Sequence, residues 1–345
     1  MAELQPFAAL LQQVRPEVEQ ALTHSWQQAW QEHAGLGSAV SAPLAAAREL
    51  CLRGGKRLRA VLVAAGYRIA GGGTDLTPCL PLCCAVELLQ AYFLIHDDWM
   101  DQDALRRGGP TVHAALAEQL GSVHLGAAGS VLAGDYTVAL ATRVLLQAPL
   151  PAEQQTRVLS RFVAMQLDAV VGQQLDVLGD GSNLDDVYRL KTGSYTVLGP
   201  LLLGATLVQL RPELNEALEA FALPLGIAFQ LRDDLLGAFG DPAQTGKPRG
   251  SDLLANKRTL LLQAALDSPE CRRALEGVLG NPAAPAQAVL HALETLATGG
   301  PRARVEARIA ELTARAAQAT HAAAFNTGSR ALLQGMLAAL VDRDE

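Results

Sequence analysis

Apolar residues recur along this chain at intervals of three and four, and no stretch alternates apolar with polar positions in the Val/Ile/Thr-rich manner of a strand. The spacing predicts amphipathic helices over Phe7 to about Ala34 and Pro43 to Cys51, joined by a Gly35-Leu-Gly-Ser linker. A glycine turn at Arg53-Gly-Gly-Lys-Arg-Leu-Arg59 opens a helix to about Ala70, and Gly71 to Pro78 reads as a loop. Leu80 to Met100 is a long apolar helix, after which Arg106-Arg-Gly-Gly-Pro110 breaks the chain. Further helices of Ala, Leu, Val and Gln follow, separated by Pro149-Leu-Pro151, by Gly179-Asp-Gly-Ser182 and by the Gly/Pro-rich segment Asp241 to Gly250. The expected architecture is all-α, a bundle of ten or more helices forming one domain over 1–345, without a solenoid repeat.

The longest uncharged run, Thr192 to Leu210, is interrupted by Gly193, Ser194, Gly199, Pro200 and Gly204, and reads as a buried helix rather than a membrane span. With 345 residues, 50% of them hydrophobic and 18% charged, the chain can bury a large core. A net charge of -7 argues against a general nucleic-acid surface, which needs clustered Lys and Arg. Five cysteines, an odd number with Cys83 and Cys84 adjacent, suit small core residues in a reducing compartment better than a disulfide framework or a zinc site. The first residues, Met1-Ala-Glu-Leu-Gln-Pro6, lack the basic and then apolar pattern of a signal peptide, so a soluble cytoplasmic protein is expected.

Chemistry enters where two apolar helices end in carboxylates. Leu88 to Asp101 carries Asp97, Asp98 and Asp101, and Phe229 to Asp241 carries Asp233, Asp234 and Asp241. On a helix Asp97 and Asp101 stand one turn apart on one face, and Gln230 precedes Asp233 by one turn. Each cluster is followed by a loop with basic residues, an echo that would set the two face to face across one core cavity, where a bundle builds its ligand sites. Like charges this close stay ionised only beside a counter-cation, and hard oxygen donors suit Mg²⁺ held through a substrate phosphate. Local cations complete the picture: Lys56, Arg57 and Arg59; Arg106 and Arg107; Lys191; Lys247; Lys257 and Arg258. Carboxylates with this many cations point to a metal plus several phosphates, and no nucleotide-binding glycine fingerprint is present.

In order, Gly54-Gly-Lys-Arg-Leu-Arg59, Asp97-Asp-Trp-Met-Asp101 with Arg106-Arg107, Lys191-Thr192, Phe229-Gln-Leu-Arg-Asp-Asp234, Gly246-Lys247 and Asn256-Lys-Arg-Thr259 resemble the trans-isoprenyl diphosphate synthases. The match covers roughly residues 50 to 262 and implies the isoprenoid synthase fold around a deep central cavity, a homodimer, and three Mg²⁺ ions per site. The implied reaction is head-to-tail condensation of isopentenyl diphosphate with an allylic diphosphate: ionisation of the carbon–oxygen bond, attack of the double bond on the allylic cation, and loss of a proton to the departing diphosphate. By that resemblance Asp97, Asp98 and Asp101 coordinate metal on one side of the allylic diphosphate, and Asp233 with Asp234 on the other. Arg106, Lys191 and Lys247, with Lys257 nearby, hold the same diphosphate. Lys56, Arg59 and Arg107, helped by Gln90, hold that of isopentenyl diphosphate, and Thr192 and Gln230 turn oxygen dipoles toward the cation.

One departure is visible: the family's second acidic motif commonly has a third Asp where this chain has Gly237, so one carboxylate fewer is expected there. Tyr92 and Phe93 lie five and four residues before Asp97, about one 5.4 Å turn deeper. Two rings there would floor the product channel early, favouring a C15 product, with C20 next. His96 reads as a packing residue, and the uncharged, small-residue stretch Gly121 to Gly134 suits close helix packing, within or between subunits. The rivals are a class I terpene cyclase, against which the basic Gly54 to Arg59 segment argues, and a non-catalytic regulatory subunit, against which nearly intact motifs argue.

Overall fold

Phe7, Leu10, Val14, Val18, Leu22, Trp26 and Ala29 fall three or four apart and are all buried, so a single apolar stripe docks the first helix along its length. That helix, α1, spans Pro6–His33 in the computed structural model, which describes residues 6–208, 210–240 and 249–341. Helix α2 covers Ser38–Leu52 and begins ahead of Pro43, the expected first position. A proline fits best at the helix start, yet inside the helix it forfeits only one amide bond, and here it is accommodated. Helix α3 (Leu58–Ile69) follows the glycine turn, and α4 spans Leu80–Met100, the bounds its apolar run predicts.

The described residues divide into two compact units. The first comprises 1–166, 199–215 and 325–332. Its central element is α4, whose residues from Leu82 to Leu89 are buried without a break, so all its sides meet protein. This helix is long and apolar enough to cross a membrane, but most of it is covered by neighbours, as in a core helix. Around it pack α1, α2, α3, α5 (Val112–Leu120) and α6 (Val123–Leu146). Between α4 and α5 lies a small hairpin, β1 (Leu105–Arg106) antiparallel to β2 (Gly109–Pro110). Its turn residues, Arg107 and Gly108, have φ of 52° and 74°, the paired left-handed geometry that matches strand twist. Two residues per strand are too few to leave an alternation in the sequence.

The second unit comprises 167–198, 216–324 and 333–345. It takes in much of α7 (Ala152–Leu178), the short α8 (Leu184–Val187) and most of α10 (Pro212–Phe239). Of the run expected to be one buried helix, Thr192 to Leu210, most of 192–206 is buried, but it is wound as a π-helix over Tyr188–Leu198 and then, within the first unit, as α9 over Gly199–Ala205. Short helices α11 (Ser251–Leu254), α12 (Leu260–Leu266) and α13 (Pro269–Leu275) precede α14 (Ala286–Thr298), α15 (Pro301–Ala319) and α16 (Thr327–Val341). The buried residues Val305, Ile309, Leu312 and Ala316 trace the apolar stripe of α15. All five cysteines are buried and free.

Candidate active site

The first acidic cluster is built by the end of α4. The Asp101 amide closes on the Asp97 carbonyl at 2.8 Å, so the helical turn persists and the two carboxylates share a face, Asp101 exposed and Asp97 half-buried. Asp98 faces inward instead. It is fully buried, and its Oδ1 accepts Arg106 Nε at 2.6 Å while Oδ2 has no hydrogen-bond partner among the described residues. Burial outweighs that cation and pushes Asp98 up to about 6. Arg106 also reaches Asp103 at 3.3 Å, so it ties the hairpin to the end of α4.

The basic glycine turn is joined to the same hairpin. Arg107 donates to the Gly54 carbonyl, and its guanidinium lies 3.2 Å from where a Cβ on Gly55 would stand. From the other side, Arg53 donates to the carbonyls of Arg106 and Pro110 at 2.7 and 3.0 Å. Lys56 is exposed in the turn and Arg59 half-buried in the first turn of α3. Gln90 sits on α4 one turn beyond Glu87, whose Oε1 accepts the Ala60 amide at 3.2 Å. Further back on α4, Tyr92 and Phe93 touch with ring centroids 4.8 Å apart. The His96 ring lies 4.7 Å from that of Tyr92, and its Nε2 meets the Val131 carbonyl of α6 at 3.1 Å.

The second acidic cluster belongs to the other unit. A Cβ on Gly226 of α10 would stand 2.7 Å from Gly193 Cα, so only glycine lets α10 and the π-helix approach this closely. That approach lets Thr192 donate to Gln230 Oε1 at 2.8 Å, and Gln230 Nε2 donate to Asp234 Oδ1 at 2.8 Å. Tyr188 donates to Asp234 Oδ2 at 2.9 Å and accepts the Leu260 amide at 2.9 Å. Burial raises Asp234 to about 6, with Lys257 acting against it. Lys191 pairs with Asp176 at 2.6 Å. Asp176, Tyr188, Lys191, Thr192, Gln230, Asp234 and Lys257 line a single small cleft. A larger open groove, lined by residues including Gln154, Arg157 and Leu207, contains none of the residues singled out from sequence.

Asp233 is half-buried at the neighbouring position on α10. Lys247 and Asp241 lie outside the described residues. Gly237 is informative in a way the sequence hides. A Cβ there would stand 2.6 Å from Asp252 Oδ2, so a carboxylate from α11 fills the space beside α10 that a side chain at 237 would take. Asp252 thus stands beside the second cluster as a neighbouring carboxylate from another element. Asp176 and Tyr188 were missed, although both are spaced to be found: Tyr188 lies one turn before Thr192.

Among the described residues no three His, Cys, Asp or Glu side chains converge on one point able to hold a metal ion. Mg²⁺ keeps several waters and takes substrate phosphate oxygens, so one or two carboxylates per ion suffice. Asp97 with Asp101, and Asp233, fit that donor set.

A pH dependence follows from Asp98 and Asp234, both raised to about 6 from 3.8. Each holds its proton more tightly folded than unfolded, so in this window the unfolded state binds fewer protons and stability falls as pH rises. Reversible urea unfolding of the metal-free protein should show their share of stability declining from pH 4 to 6 and level above. Asp98→Asn and Asp234→Asn should each flatten the decline, and an unchanged slope in both would refute the assignment.

A sequence profile of the polyprenyl synthetase family matches residues 42–296. The chain belongs to the polyprenyl synthetases. This synthetase is 33% identical over 261 residues to a short chain isoprenyl diphosphate synthase of Methanocaldococcus jannaschii, covering 73% of this chain and 75% of that one. It is 36% identical over 221 residues to farnesyl diphosphate synthase of Geobacillus stearothermophilus, covering 60% of this chain and 69% of the other. A crystal structure of geranylgeranyl pyrophosphate synthase from Corynebacterium glutamicum, complexed with isoprenyl diphosphate and magnesium, matches with a TM-score of 0.89 at 34% identity over 99% of both chains. The synthetase therefore has the all-α isoprenoid synthase fold and is a short-chain prenyltransferase of isoprenoid biosynthesis.

Proposed function

We propose that the chain, acting as one catalytic domain over 1–345 in the cytoplasm, condenses isopentenyl diphosphate with dimethylallyl, geranyl or farnesyl diphosphate to give farnesyl (C15) or geranylgeranyl (C20) diphosphate. The observation that supports this is the hydrogen bond from Arg107 to the Gly54 carbonyl, which ties the basic Gly54–Arg59 turn to the hairpin and suits a second, cationic diphosphate site. A cyclase with one diphosphate substrate needs no such site. Lys56, Arg59, Gln90 and Arg107 bind the isopentenyl diphosphate. Arg106, Lys191, Lys247 and Lys257 bind the allylic diphosphate, and Asp97, Asp101 and Asp233 hold its metal ions.

Three bound Mg²⁺ ions would neutralise the charge that develops on the departing diphosphate. Asp98 serves by fixing Arg106, which it holds at 2.6 Å, and Asp234 by fixing Gln230 and through it Thr192. The Thr192 oxygen faces the forming cation, and the apolar helix faces exclude water from it. The departing diphosphate takes the proton lost after bond formation. The test is a product assay with labelled isopentenyl diphosphate against each allylic primer in turn. Elongated allylic diphosphate is the expected product, whereas hydrocarbon formed without isopentenyl diphosphate would establish a cyclase.

The proposed assembly is a homodimer through α6. Leu125, Ala128 and Leu132 recur three and four residues apart on its exposed side, before Asp135 on the same face ends the apolar stretch, and Leu132 is 65% exposed. An apolar helix stripe open to water suits a second copy of itself. Leu132→Asp should convert dimer to monomer in light scattering behind size exclusion. A monomeric parent protein would end this part of the reading.

A further inference from the structure

Arg57 stands between Lys56 and Arg59, yet it is only 4% exposed and turns away from solvent. Its backbone lies at φ 49°, a left-handed conformation that residues other than Gly, Asn and Asp avoid. Something must hold it there, and the contacts identify what does. Nε and Nη2 fork onto the two Glu19 oxygens at 2.7 and 3.0 Å, Nη2 also donates to the Cys51 carbonyl at 2.8 Å, and Nη1 meets Glu87 Oε2 at 3.4 Å. Bidentate pairing of this kind fixes orientation as well as charge. Glu87 uses its other oxygen to accept the Ala60 amide, which anchors the first turn of α3.

The consequence is geometric. The diphosphate site proposed above draws Lys56 from the turn, Arg59 from α3, Gln90 from α4 and Arg107 from the hairpin. Arg57 is the point where α1, α4, the turn and the start of α3 are fastened together, and Arg107 is bound in turn to Gly54. We infer that Arg57, clamped by Glu19 and Glu87, is a positioning residue that sets the spacing of the isopentenyl diphosphate site without touching the substrate. This rests on the assignment of that site to Lys56, Arg59, Gln90 and Arg107.

Glu19 is the informative place to cut, because its side chain is 31% exposed and its loss leaves Arg57 paired with Glu87. Glu19→Ala should raise KM for isopentenyl diphosphate about tenfold, while kcat and KM for geranyl diphosphate change less than about twofold. Arg57→Lys keeps the charge and loses the fork, and it should behave like Glu19→Ala. Glu19→Gln retains one acceptor and should recover part of the loss. A merely structural role would lower the melting temperature and change both KM values together. Lys56→Ala is the control for the site itself. If it raises KM for isopentenyl diphosphate while Glu19→Ala and Arg57→Lys do not, the positioning role is overturned and the site stands. If Lys56→Ala leaves KM unchanged, the site assignment falls and the positioning role with it.

Discussion

Replacing Asp233 by Ala is expected to lower kcat on the order of 10³-fold, the size of effect seen when one preorganised charge-stabilising group is removed. Diphosphate departs slowly until its developing charge is met, and a group that meets it only as the bond breaks acts on kcat rather than on binding. Asp233 lies on α10 beside Asp234, whose two oxygens are already committed to Gln230 and Tyr188. Asp234 is therefore poorly placed to substitute for its neighbour. Asp97→Ala should produce a loss of similar size if both clusters serve one diphosphate, and the double variant should lose little more than either single one. Losses that multiply instead would mean that the clusters act separately. Single-turnover measurement with geranyl diphosphate separates this from slow product release.

The second large effect is on product length. Tyr92→Ala with Phe93→Ala removes two rings in mutual contact, centroids 4.8 Å apart, about one turn of α4 before Asp97. A prenyl chain growing past them gains roughly 5.4 Å of depth, near the length of one isoprene unit. The main product should shift from C15 or C20 to at least one unit longer on chromatography, with total turnover falling less than about tenfold. The single variants need not be equivalent, because Tyr92 also leans on His96, which is fixed against Val131. Product length unchanged in the double variant would remove both rings from any role in termination.

Much of this was readable beforehand because helices of this length advertise themselves. The apolar run from Leu80 to Met100 gives α4 residue for residue, and its abrupt end in carboxylates marks the first cluster. What sequence could not convey is direction. Asp97, Asp98 and Asp101 look alike on paper, but successive helical positions point about 100° apart, and Asp98 is carried inward to Arg106. Arg57 was likewise one cation among three until its left-handed backbone and double clamp by Glu19 and Glu87 set it apart. The π-helix over Tyr188–Leu198 was illegible because apolar periodicity marks a helix without fixing its winding, and π-turns are rare.

Counted along α10 alone, the second cluster shows two adjacent acids, Asp233 and Asp234, with glycine at 237. Yet the Asp252 carboxylate, from a segment fifteen positions downstream, comes within 2.6 Å of the missing Cβ position, so a further acid stands beside this end of the helix. A side chain installed at 237 would therefore meet that carboxylate, which would have to swing aside to make room.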